Sequence, residues 1–143
     1  MKKAFSFLEI IIVILIISII STFLIIKTSS SLDFVNKTNI NADIVQIRSS
    51  ISKENSKNVL LNDTSILKLD DANIEEEKSL LFSNILDKPL ISTNSLKKEI
   101  GKWIKTSSNK YKIYITNEEY LEFEFTNNSF NCISSIELCK DFE

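Results

Sequence analysis

The chain begins MKKAFSFLEIIIVILIISIISTFLII (residues 1–26), and the reading of this stretch governs the reading of the rest. From Ile10 to Ile26 every residue is apolar except Ser18, Ser21 and Thr22. A helix from Phe5 to Ile26 would be about 33 Å long at ~1.5 Å per residue, enough to cross a hydrocarbon core of ~30 Å. Ile is a mediocre helix former in water, but in lipid the backbone must bond to itself, so the run is expected to be helical. Lys2 and Lys3 precede it; by the positive-inside rule that end stays in the cytoplasm, and Lys27 with all that follows lies outside. A cleaved secretory signal has an apolar core of about 7–15 residues closed by a small-x-small site. Here the run is longer, and the sequence Lys27-Thr28-Ser29-Ser30-Ser31 after it offers no Ala-x-Ala. A plain signal anchor accounts for the lysines and the length but not for Glu9. A carboxylate at the edge of hydrocarbon costs ~2.5 kcal/mol or more, so a partner for Glu9 is expected.

Working outward, no Gly or Pro interrupts Lys27 to Lys57, so nothing forces the helix to stop at Ile26. Ile40, Ile44, Ile47 and Ile51 form one apolar stripe, with Asn41, Asp43, Arg48, Lys53 and Glu54 mostly off it. The spacing predicts an amphipathic helix to about Asn55 and a loop over 56–65. Ile66, Leu67 and Leu69 are expected in a short strand or extended segment. A second helix is predicted over 70–86, capped by Asp70 or Asp71, with Glu75, Glu76 and Glu77 at its positive end and Leu80, Leu81, Ile85 and Leu86 on its apolar face. The same acids suit a calcium site in composition, but calcium needs six to eight oxygens converging in space, which the sequence does not show; solvated helix N-terminal acids are the expectation.

After Pro89 the period becomes two. Tyr111, Ile113 and Ile115 alternate with Lys110, Lys112 and Tyr114; Leu121, Phe123 and Phe125 alternate with Glu122, Glu124 and Thr126. This predicts antiparallel strands with one covered face. Asn117-Glu118-Glu119 turns the chain between them, Asn127-Asn128 suits a tight hairpin, Phe130–Ile133 is a further strand, and Lys102–Thr106 begins the sheet. The Ile40–Ile51 stripe is the expected cover, helped by Leu80, Leu81 and Ile85. Trp103 is expected in the core rather than as a stacking platform for a ligand.

The segment Ala4-Phe5-Ser6-Phe7-Leu8-Glu9, followed by a long apolar helix, resembles the class III signal of type IV prepilins and of the pseudopilins of type II secretion. In that family a short basic leader is cut before a Phe, the new amine is methylated, and a Glu occupies the fifth mature position. The resemblance implies that residues 1–4 are the leader, that cleavage falls between Ala4 and Phe5, that Phe5 is N-methylated, and that Glu9 is the fifth mature residue. The family usually has Gly before the cut; Ala4 is likewise small and fits an extended strand in the peptidase. Many members also carry a Pro near the end of the apolar helix; this chain has none there, so no kink is expected. The amine of a neighbour's Phe5 would pair with Glu9, since a buried charge is tolerable when paired, and Glu9 would set the axial register of assembly.

The fold the resemblance and the periodicities imply is α+β. A long N-terminal helix, transmembrane over 5–26 and amphipathic over 27–55, packs on a small antiparallel sheet in a globular, pilin-like head over 56–143, closed by a C-terminal disulfide loop. The implied partners are further copies or related subunits in a mixed filament, a prepilin peptidase and an inner-membrane assembly platform. The implied location is the inner membrane, single-pass, with the N-terminus cytoplasmic and the head periplasmic, and the filament after assembly.

With 143 residues, the chain holds one membrane segment and one small domain, and a second folded domain is not expected. The absence of His removes the commonest general base and metal ligand, and the single Gly101 excludes a Gly-rich phosphate loop. No enzyme activity and no cofactor are expected. Cys132 and Cys139, an even count behind an export signal, read as one disulfide, although the spacing also permits a redox pair or half a metal site. Pilins often close a C-terminal loop in this way. Lys97, Lys98, Lys102, Lys105, Lys110 and Lys112 lie among Trp103, Tyr111 and Tyr114, a composition suited to single-stranded nucleic acid in a DNA-uptake subunit. With Glu118, Glu119, Glu122 and Glu124 nearby they read instead as a solvated face, and nucleic acid is not expected as a partner. The remaining alternative is a signal-anchored periplasmic binding domain.

Overall fold

The computed structural model describes residues 7–142, and for residues 23–35 the backbone alone. Two compact units divide at Val35, the first reaching to Val35 and the second spanning Asn36–Glu143. Helix α1 is Phe7–Leu61. In its first unit the apolar side chains from Ile10 to Ile20 are each about half exposed. The hydroxyls that interrupt them turn back onto the helix: Ser18 Oγ donates to the Ile14 carbonyl at 2.8 Å and Thr22 Oγ1 to the Ser18 carbonyl at 2.9 Å. Each hydroxyl is thereby satisfied without water. Among the described residues no helix is long and apolar enough to cross a membrane; the span expected over 5–26 includes residues 5, 6 and 23–26, which lie outside the described side chains.

In the second unit α1 lays one stripe on a sheet. Ile40, Ile44, Ile47 and Ile51 are at most 3% exposed, whereas Val45 on the opposite side is 66% exposed. The helix runs past the expected end near Asn55 and replaces the first part of the predicted 56–65 loop. Asn62 stops it, at φ 54°, with Asn62 N–H bonding the Val59 carbonyl and Asp63 N–H the Asn58 carbonyl. This is a Schellman end, which favours Gly or Asn at the left-handed residue.

The remaining elements are β1 (Leu80–Leu81), β2 (Leu90–Ile91), β3 (Trp103–Lys105), β4 (Lys110–Tyr114), β5 (Tyr120–Thr126), β6 (Ser129–Cys132) and α2 (Ile136–Lys140). Strands β1 and β2 form an antiparallel pair; β3–β6 form an antiparallel sheet in sequence order. The predicted alternation holds at the centre: Trp103 pairs with Ile113, Tyr111 with Phe123 and Ile113 with Leu121, and all five are at most 1% exposed. The sheet is not simply one-sided, because Ile104 and Tyr114 on the other face are buried too. Asn127 (φ 50°) and Asn128 (φ 59°) make the expected two-residue hairpin, with Thr126 opposite Ser129. Both central residues at positive φ match a turn whose twist suits the flanking strands.

The helix predicted over 70–86 does not form. Glu75, Lys78 and Phe82 take φ of 56°, 59° and 58°, outside any right-handed helix. Asp70 is buried and accepts the Phe82 N–H at 3.0 Å as well as the Ala72 N–H at 3.1 Å; along a helix residues 70 and 82 would stand about 18 Å apart, so the Phe82 bond requires the segment to fold back instead. A side chain that captures backbone donors competes with helix formation. No strand forms at Ile66–Leu69 either; Ile66 is 95% exposed and Leu69 alone of the three is fully buried.

Candidate functional site

Of the residues implicated in processing, Ala4 and Phe5 lie outside the described residues. Glu9 stands in the first turn of α1 and is exposed. The first turn of a helix has unbonded N–H groups and the positive end of the dipole, so an acid is favoured there. The described apolar side chains from Phe7 to Ile20 follow on every side of the helix, and Ile11, Ile14, Leu15, Ser18, Ile19 and Thr22 line a shallow groove of about 400 Å³ along one of them.

Within the second unit, Cys132 and Cys139 are joined, with Sγ–Sγ 2.04 Å, so the disulfide reading holds and neither sulfur is a free thiolate that could ligate a metal. The bond ties β6 to α2, a helix the sequence reading missed. Phe142 beyond it is 6% exposed and joins the core. Lys37 of α1 holds this end from the other side, 2.8 Å from Asp141 and 5.3 Å from the Phe142 ring. That ion pair holds the Asp141 carboxyl below its usual range.

The densest polar constellation is one the sequence reading did not find. Asp70 accepts the Lys105 ammonium at 2.6 Å and the Tyr111 hydroxyl at 2.8 Å, besides the two backbone donors. Lys105 Nζ also donates to the Ala72 carbonyl at 2.9 Å. Strand alternation puts Lys105 on the same face as Trp103 and Tyr111, so its charge must be met inside. Burial first, and then the Asp70 charge, pushes the Tyr111 phenol well above its ordinary value. Every oxygen of the carboxylate has two donors, an arrangement that holds chain segments together and leaves none of its atoms free for chemistry. Nearby, Trp103 Nε1 donates to Asp43 of α1 at 2.9 Å, locking the helix stripe to β3.

Four of the six lysines are engaged within the fold. Lys105 is buried, Lys97 pairs with Glu77 at 2.8 Å, Lys110 lies 3.8 Å from Glu124, and Lys112 sits 4.4 Å over the Tyr120 ring. The acids Glu75, Glu76 and Glu77 are each engaged by separate partners: Glu75 accepts from Ser95, Glu76 from Asn73 and Ser79, and Glu77 from Asn94 and Lys97. Among the described residues no group of three or more acid, His or Cys side chains is arranged to hold a metal ion.

Comparison of the chain with protein-family models, with characterised proteins and with solved structures finds no match. The functional reading therefore stands on the residues alone.

Proposed function

We propose that this chain is a structural subunit, a pilin or pseudopilin, of a type IV pilus or type II secretion-like filament, without catalytic chemistry of its own. The observation that carries the reading is the order of charges and apolar residues at the N-terminus: Lys2 and Lys3, Ala4 before Phe5, Glu9, then a run to Ile26 that is apolar but for Ser18, Ser21 and Thr22. Two features of the fold are compatible with it. Glu9 opens a helix whose described apolar side chains are exposed and so available to lipid or to neighbouring helices. The second unit is an α+β head in which the Ile40–Ile51 stripe lies on an antiparallel sheet closed by a C-terminal disulfide. In this reading a prepilin peptidase removes residues 1–4, Phe5 is methylated, the apolar helix is stored in the inner membrane, and Glu9 pairs with a neighbour's Phe5 amine when a platform protein extracts the subunit.

The test is the N-terminal residue and intact mass of the membrane-extracted protein, with and without a co-expressed prepilin peptidase. A chain that starts at N-methylated Phe5 supports the proposal. A chain that still starts at Met1 in the presence of active peptidase sinks it.

A further inference from the structure

The sheet has two edges, and they are treated differently. The β3 edge is closed: Thr93 N–H bonds the Trp103 carbonyl at 3.0 Å and Glu75 N–H the Lys105 carbonyl at 2.9 Å. The β6 edge is the outer one. Ile133 N–H bonds Glu122 of the β5 side at 2.8 Å, so the alternation of an antiparallel ladder turns the N–H and C=O of Phe130 and Cys132 away from β5. One of those groups is taken by α1, where Arg48 Nε donates to the Phe130 carbonyl at 3.1 Å.

Between this edge and α1 runs a groove of about 750 Å³. Arg48 is its single charged lining residue, and no acid lines it. Arg48 is also the only arginine of the chain, and among the described residues it forms no ion pair, although acidic residues outnumber basic ones by 19 to 17. Its Nε bond fixes the guanidinium plane at the strand edge and leaves the terminal nitrogens, the pair that recognises a carboxylate in fork geometry, for another partner. Val59 and Leu60 at the far end of the groove are 79% and 86% exposed.

We propose that this groove docks an extended acidic peptide segment of another protein, which adds to β6 as a further strand and sets a carboxylate on Arg48. The strand edge supplies main-chain bonds, the lone positive charge selects the acid, and Val59 and Leu60 take an apolar side chain farther along the same face of the added strand. The inference does not depend on the filament reading, since all of its residues lie in the second unit.

The probe is a fluorescein-labelled, end-capped pentapeptide of Val, Thr, Glu, Thr and Val in that order, titrated by fluorescence anisotropy against the full chain in detergent micelles. Saturable binding is expected, weakened about tenfold or more when Gln replaces Glu in the peptide, in keeping with the strength of a charge-assisted pair. Arg48→Gln should abolish the preference for Glu over Gln. A peptide N-methylated on the backbone, tested on the unaltered protein, should lose binding, and this arm is independent of how the Arg48 variant folds. Equal binding of the Glu and Gln peptides, undiminished binding of the N-methylated peptide, or no saturable binding would overturn the proposal. Self-association of the chain that is lost in Arg48→Gln would also overturn it and assign the groove to a second copy.

Discussion

Lys105 Nζ lies 2.6 Å from an Asp70 carboxylate oxygen, with the lysine side chain 6% exposed and the aspartate fully enclosed. The pair joins the irregular segment after α1 to β3, an edge strand of the sheet. Burying both charges is costly in itself, but once they are buried neither can lose its partner cheaply. Lys105→Met is therefore expected to destabilise the fold by about 3–5 kcal/mol. A double-mutant cycle with Asp70→Asn in urea should show strong coupling between the positions. Additive effects would mean that the ion pair is not what holds the segment.

The bond from Trp103 to Asp43 gives a pH signature. Desolvation raises the Asp43 carboxyl above its ordinary value, against the lowering by the Trp103 hydrogen bond and the Lys102 charge. The folded state thus holds this proton more tightly than the unfolded chain. The contribution of Asp43 to stability is full below the unfolded pKa of about 3.9 and falls as pH rises through the folded value. Asp43→Asn, which keeps an acceptor for Trp103, should gain stability relative to wild type as pH is raised across that window. Asp43→Leu leaves a buried indole N–H without an acceptor and should cost about 1–3 kcal/mol. Urea midpoints followed by Trp103 fluorescence at several pH values separate the two.

The Asn127-Asn128 hairpin predicts a sign. A residue with a Cβ and no compensating side-chain bond pays roughly 1–2 kcal/mol in the left-handed region. Asn128→Ala should lower the thermal midpoint, while Asn128→Gly should leave it unchanged or raise it.

Reduction of Cys132–Cys139 should loosen α2 and Phe142 before the sheet. For so short a loop the entropic loss is on the order of 2–3 kcal/mol. Hydrogen exchange should rise first over residues 134–142 on reduction, and a Cys132→Ser, Cys139→Ser double variant should no longer respond to reductant.

If Glu9 sets register, Glu9→Ala subunits should be processed and retained in the membrane yet yield far fewer filaments than wild type. Filaments counted by electron microscopy beside a blot of the membrane fraction distinguish this from a failure of processing. Wild-type filament numbers would end the register role.

The Ile40–Ile51 stripe, the alternation over Tyr111–Ile113 and Leu121–Phe123, the hairpin at Asn127-Asn128 and the closing disulfide were all legible in the residues, because each rests on local periodicity, turn chemistry or cysteine count. The Schellman end at Asn62 was legible in principle, since Asn is a favoured residue there, but the polar stretch from Ser52 to Asn58 made the helix seem to end before it. The segment 70–86 misled because its acids and leucines fit a helix by spacing alone. Lys105 misled as well, being one of six lysines close together in sequence.

By itself, then, the sequence determined the elements whose bonds close within a few residues, together with the N-terminal pattern on which the functional proposal stands. Tertiary structure alone decided what Asp70 and Arg48 do. Asp70 meets Lys105 and Tyr111 across 35 and 41 residues, and Arg48 meets the Phe130 carbonyl across 82. No local pattern encodes such a meeting. A buried charge takes the partner that the packed chain brings within reach, and it overrides a helix propensity worth only tenths of a kcal/mol per residue.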